Sequence, residues 1–225
     1  EVARFFPNNY RLKAVDEQGN TSAWVEIENG AIVLDWPKTV VINEIAWMGT
    51  GERTQNDEWI ELYNTTDADI DLQDWHIHVS GTPILWTKNN TIIPARGYYL
   101  LEKNDDNTIK QLDADGIFFM AKGLENGGEH LVLINEKQEI IDEVRAENGW
   151  FAGIANGHFR SMERINNTIP GSVPHAWGSR QGLSAKGKAR SGALLFGSPA
   201  QPNVGYWLLF GLSHYYASFI TASNT

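Results

Sequence analysis

The sequence predicts an all-β protein, a sandwich or a barrel. Short runs rich in Val, Ile, Tyr, Phe and Trp recur between turn residues, and no window sustains a 3.6-residue apolar period. The 21 Gly and 9 Trp describe many turns around a rigid aromatic core. At 225 residues and 42% apolar the chain can bury such a core, so disorder throughout is excluded, and the length suits one domain with a further piece. The lack of Cys excludes disulfides, a thiolate nucleophile and Cys-ligated metal, and leaves the redox compartment open.

Strands are expected at Tyr10 to Val15, Trp24 to Ile27, Ile32 to Leu34, Val40 to Ile45, Glu58 to Tyr63, Trp75 to Val79, Tyr98 to Leu101, Gly116 to Met120, Leu131 to Ile134 and Ile140 to Val144. Turn chemistry separates them at Gln18-Gly19-Asn20, Ser80-Gly81-Thr82, Asn104 to Asn107, Asn126-Gly127-Gly128 and Asn135-Glu136-Lys137, which predicts antiparallel neighbours. The best hairpin joins Leu131–Ile134 to Glu139–Val144 through residues 135–138. Thr108 to Leu112 is read as one helical turn.

From Trp150 to Pro202 the pattern loosens into Gly, Ser, Asn and Pro, with no strand predicted. Such a stretch is unusual inside a compact domain. Its isolated aromatics, Trp150, Phe151, Phe159, Trp177 and Phe196, favour a segment that wraps the sheets over a solvated arm. Charge divides along the same line. Residues 1 to 159 hold 12 basic and 27 acidic side chains, residues 160 to 190 hold six basic and one acidic, and the last 35 hold none. The opening residues, Glu1 to Pro7, have no signal-peptide pattern, so the chain is expected to be a processed product or a piece of a longer protein.

Ordered motifs carry a family resemblance. Val41-Ile42-Asn43-Glu44-Ile45, Asp57 to Asn64, Leu72-Gln73-Asp74-Trp75, Ile93 to Tyr98, Gly127 to Leu133, Ile141-Asp142, Trp150, Ser161-Met162-Glu163-Arg164 and Gly197 to Asn203 resemble a lamin tail domain of bacterial and archaeal surface proteins, over about residues 41–203. The resemblance implies an immunoglobulin-like β-sandwich. On that fold Ile60 and Leu62 share one strand face and Trp59, Glu61 and Tyr63 the other, with Glu61 in a hydrogen-bonded network with Asn64 or Asn43. Gly97 and Gly128 are placed at turns needing positive φ. Tyr10 to Asp16 and Gln18 to Ser22 resemble the last strands of a fibronectin type III domain, too short here to form that fold alone. The expected organisation is residues 1–36 as this partial domain, 40–203 as the lamin tail domain and 204–225 as an apolar tail.

Candidate chemistry is sparse. Asp113 and Asp115, and the alternating Asp67, Asp69 and Asp71, offer oxygen ligands for calcium, but neither set follows a twelve-residue calcium loop, and acidic surface turns explain both. His76 and His78 share a strand face without a third ligand fixed by the sequence. No Gly-x-Ser-x-Gly elbow, phosphate loop or dinucleotide fingerprint occurs, so no catalytic residue, cofactor or metal is assigned. Arg180, Lys186, Lys188 and Arg190 form a basic patch suited to an anionic partner such as a nucleic acid backbone, unless they pair with the protein's own acids. Residues Val204 to Ala222 are 19 long with 13 apolar, enough for a membrane anchor or, through Tyr206, Trp207, Leu208, Leu209 and Phe210, for packing against another chain. The four sequons, at Asn20, Asn64, Asn89 and Asn166, are what an Asn-rich chain produces by chance. The function expected is a non-catalytic module of an extracellular or cell-surface protein, mediating adhesion or assembly with other chains or with itself. The alternatives are an accessory domain of a larger extracellular hydrolase or nuclease, and a weak anionic-polymer binder.

Overall fold

The computed structural model describes residues 10–12, 25–27, 38–84, 86–88 and 90–203. The chain divides into two compact units, Glu1–Trp36 and Pro37–Thr225. In the first, β1 (Tyr10–Leu12) and β2 (Val25–Ile27) pair antiparallel, with Tyr10 opposite Ile27. The expected strand at Ile32–Leu34 lies outside the described residues, as does the tail from Val204 onward, Tyr206 to Phe210 included.

The second unit is built from β3 (Val40–Ile45), β4 (Trp59–Asn64), β5 (Ile70–Asp71), β6 (His76–Val79), β7 (Thr82–Ile84), β8 (Trp86–Lys88), β9 (Ile92–Ile93) and β10 (Tyr98–Lys103). It continues with β11 (Ile109–Lys110), β12 (Gly116–Phe118), β13 (His130–Ile134), β14 (Ile140–Arg145), β15 (Met162–Arg164), β16 (Trp177–Ser179) and β17 (Lys188–Ala189). Seven strands form one sheet in the order β16-β15-β3-β4-β10-β12-β8, and four form the other in the order β14-β13-β6-β7. The pairs β5–β9 and β11–β17 stand apart. This is the immunoglobulin-like sandwich that the family resemblance implied, and one 3₁₀ turn, Pro174–Ala176, is the helical element among the described residues.

Alternation explains which side chains enter the core. Ile77 and Val79 of β6 are buried with Leu131 and Leu133 of β13, whereas His76 and His78 occupy the opposite face of their strand. The β6–β7 hairpin closes through Ser80 (φ 47°) and Gly81 (φ 82°), the left-handed pair that a two-residue turn requires. The β13–β14 hairpin forms where expected, and Asn135 Oδ1 accepts the N–H groups of Lys137 and Glu139 in its connection. In β3 and β4 both faces are buried, because Ile60 and Leu62 face the second sheet while residues from the later chain cover Trp59 and Glu61.

Several expectations are corrected. Residues 109–110 are a strand paired with β17, not a helical turn, because the Glu102 carboxylate accepts the N–H groups of Thr108 and Ile109 at 2.8 and 2.9 Å and holds that backbone extended. The strand pair β10–β12 is parallel, Leu101 lying opposite Gly116. The stretch after Trp150 contains the short strands β15, β16 and β17. At the 94–97 turn the left-handed residue is Arg96 (φ 54°), not Gly97, whereas Gly128 does adopt φ 102° and brings its α-carbon against the Ala146 carbonyl, where no side chain fits.

The wrapping of the sheets by residues 150–203 has a definite mechanism. Trp150 stacks on Trp47 at 5.9 Å, and Trp47 Nε1 donates to the Ala152 carbonyl. Trp177 lies under the Arg164 guanidinium at 5.1 Å and donates to the Gly171 carbonyl. Phe196 receives Arg160 at 4.8 Å and packs on His158. Phe159 is buried and Phe151 packs against the core.

One buried ion pair ties the two sheets together. Strand β15 pairs with β3 only at Glu44 and Ile45. At Ile42 the N–H donates instead to Asp142 Oδ2 of β14 at 2.9 Å, and the carbonyl accepts from Arg164 Nη1 at 3.3 Å. Arg164 also reaches Asp142 at 3.1 Å and the Ile169 carbonyl at 2.7 Å, with both charged side chains 0% exposed. Removing either partner leaves the other charge buried and unpaired, so Asp142→Ala and Arg164→Ala are each expected to cost about 3–5 kcal/mol in urea denaturation. The double change Asp142→Leu with Arg164→Met should cost less than the sum. Additive losses would show that the pair does not act as a unit.

Candidate functional site

A β-bulge shapes the polar centre of the molecule. Between Ile42 and Glu44 the register of β3 against β4 shifts, so Ile42 lies opposite Leu62 and Ile45 opposite Ile60, with Asn43 as the extra residue. Both isoleucines thereby enter the core, and Glu44 is turned to the other face, directly opposite Glu61 on one side and Glu163 of β15 on the other. Three glutamates thus form a row across β4, β3 and β15, exposed by 0%, 0% and 2%. Like charges directly opposite one another repel, and burial makes an unpaired charge far more costly.

The segment 196–203 closes over this row as a strap. Ser198 donates its N–H to the Glu44 carboxylate at 2.9 Å, and its hydroxyl meets Glu44 Oε2, Glu163 Oε1 and Asn203 Oδ1. Ala200 N–H donates to Glu61 Oε2 at 2.5 Å. Asn43 Nδ2, at the bulge, donates to Glu61 Oε1 at 2.9 Å, and Asn203 Nδ2 donates to the carbonyls of Asn43 and Arg164 at 3.0 Å each. Gly197 passes so close to the Trp59 ring that a Cβ would lie 2.7 Å from it. Arg180, from the basic stretch, ends the row with a 3.0 Å ion pair to Glu163.

Counting protons shows that the row is not fully ionised. Ser198 Oγ carries one hydrogen yet faces three acceptor oxygens, and Ser161 Oγ carries one yet faces Glu44 Oε1 and the Phe196 carbonyl. A carboxyl proton on Glu44 relieves one of these shortages, at whichever of its two oxygens carries it. Burial, and next the adjacent Glu163, push Glu44 up to about 8, and burial with Glu44 itself holds Glu61 well above the usual carboxylate range. The arrangement is a chain of acceptors that holds its own backbone, with no bond aimed at an open space.

Other buried acids also serve the fold. Glu58 pairs with Lys103 at 3.0 Å and accepts the Leu124 N–H, while burial lifts it to about 7. Burial lifts Glu102 to about 8. Of the basic patch, Arg180 is buried on Glu163, and Arg190 binds Asp57 at 2.9 Å and Asp105 at 2.6 Å. Lys186 is exposed and donates to the Ala200 carbonyl, and Lys188 is exposed on β17. The four residues are therefore not brought together as one cationic surface.

The candidate calcium acids are dispersed likewise. Asp115 accepts the Leu100 N–H at 2.8 Å, Asp67 pairs with Arg96, Asp69 accepts Ala95 N–H and Asp71 accepts Gln73 N–H. Among the described residues, no three His, Asp or Glu side chains converge as a metal site. Asn64 is fully buried, its amide directed at the carbonyls of Ala68, Ile93 and Pro94, so that sequon faces no glycan, and the Glu61 partner is Asn43. Sequence reasoning missed Glu44, Glu163 and Ser198 as a unit, although all three lie in the motifs that carry the resemblance; the bulge that aligns them leaves no periodic signal.

The raised carboxyls predict a pH dependence. They hold in the fold a proton that the unfolded chain releases above 4.5, so the stability they contribute is complete below that pH and is lost as pH rises through about 8. Asp105 and Glu143, held low by Arg190 and Arg145, titrate below this window. The denaturation midpoint should therefore fall between about pH 5 and pH 8, and Glu44→Gln should reduce the slope while keeping residues 196–203 protected in hydrogen exchange. A wild-type midpoint that climbs across this range would refute the protonated row.

The resemblance read from the sequence is placed over about residues 41–203. No curated protein matches the chain. Residues 37–148, which carry both sheets up to β14, match the family model of the Lamin Tail Domain.

Proposed function

We propose that the chain is a non-catalytic interaction module of a prokaryotic cell-surface or secreted protein, and that it works by assembling with other protein chains, itself included. The observation that carries this reading is where the buried ionisable groups point. Glu44, Glu61, Glu163, Glu58, Glu102, Asp142, Arg164 and Arg180 each meet a partner within the fold, which is the signature of architecture, whereas a catalytic group must face a substrate. A surface recess of ≈ 410 Å³ between Met48, Gln55, Asn126 and Phe159 has Glu52 as the one ionisable side chain in its lining, too little for acid–base chemistry.

Assembly is supported by Phe119, Ile140 and Leu194, large apolar side chains that are 59%, 58% and 60% exposed. The extracellular setting rests on the resemblance to lamin tail domains of surface proteins, and the reading needs no cofactor. Among the described residues no helix is long and apolar enough to cross a membrane. For residues 1–36 we keep the partial fibronectin type III reading, which the β1–β2 pair supports.

Light scattering over a range of concentrations tests self-assembly. The weight-average mass is expected to rise with concentration, and to rise less in Ile140→Ser and Leu194→Ser. A mass that stays at 25.2 kDa throughout would remove self-association from the proposal. Surface labelling of intact cells that express the parent protein tests the setting, which fails if the module is labelled only after lysis.

A further inference from the structure

We infer that His76 and His78 form a two-imidazole chelating site for a divalent first-row transition metal on the outer face of the four-stranded sheet. The strand supplies the placement: residues two apart on β6 project to one side, and Ile77 between them is locked into the core at 0% exposure. The two rings lie with centroids 5.0 Å apart and planes 36° apart. A metal ~2.1 Å from one nitrogen of each ring, at a near-tetrahedral angle, would hold two imidazole centroids ~5 Å apart.

The state of the two side chains points the same way. His76 is 9% exposed, yet no ring nitrogen of His76 or His78 hydrogen bonds to another described residue. His130, by contrast, is engaged by Glu143 at 3.2 Å. Strands β13 and β7 place Val132, Ile134 and Pro83 opposite the pair, so no neighbouring ammonium or guanidinium on those strands opposes a cation there. Imidazole pairs suit Cu²⁺, Ni²⁺ and Zn²⁺ over Mg²⁺ and Ca²⁺, and two ligands leave the remaining coordination positions to water.

Calorimetric titration of the full chain with Zn²⁺, and separately with Mg²⁺, tests the assignment. One equivalent of Zn²⁺ is expected to bind with Mg²⁺ silent. Binding should weaken at least about tenfold in His76→Ala and in His78→Asn, because each removes the chelate, and should be unchanged in His130→Ala. His78→Asn retains a polar side chain at the more exposed position, so it reads the site even if His76→Ala disturbs the strand. Absence of Zn²⁺ binding, or equal binding in wild type and His78→Asn, overturns the proposal.

Discussion

The constraint on which the rest of the molecule depends is the alignment of Glu61, Glu44 and Glu163 across three neighbouring strands. A single inserted residue, Asn43, produces it. Without the bulge, strict alternation would put Glu44 on the same face as Ile42, inside the sandwich. With it, the core keeps both isoleucines and the acids gather on the far face, where they become tolerable only when covered, protonated in part and supplied with donors. The strap, the Arg180 ion pair and the Asn43–Asn203 contact are answers to that one problem.

Much of the sandwich was legible because hydrophobic alternation and turn chemistry are local signals. Val40–Ile45 and the 131–144 hairpin have short, β-branched, punctuated sequences, and their strands form close to where those signals stand. What escaped was set by distance along the chain. The pairing of residues 109–110 with β17 depends on Glu102 and on residues far downstream, and the strands β15 and β16 have only three residues each, too few to show a period. The candidate site was legible as separate motifs and not as a row, since its geometry arises from a register shift. The partner of Glu61 was narrowed to Asn64 or Asn43 because both lie in motifs near it, and it is Asn43, on the adjacent strand.

Charge partition along the chain has a structural meaning. The basic stretch from Arg160 to Arg190 complements the acidic sandwich from which it is separated in sequence. Arg164 meets Asp142, Arg180 meets Glu163, and Arg190 meets Asp57 and Asp105, while Arg160 donates to the carbonyls of Arg180 and Gln181. Arginine suits this task because its planar fork serves several acceptors at once and stays ionised when buried. An uneven distribution that suggests an external polyanion is here largely satisfied within the molecule.

The strap also orders events during synthesis. Ser198 and Asn203 reach back 154 and 160 residues to Glu44 and Asn43, so Glu44 and Glu61 are synthesised long before the segment that covers them. Completion of the native state is therefore a long-range step, and a polypeptide cut short at residue 148 would retain β3 to β14 but lack β15, β16 and the strap that covers Glu44 and Glu61.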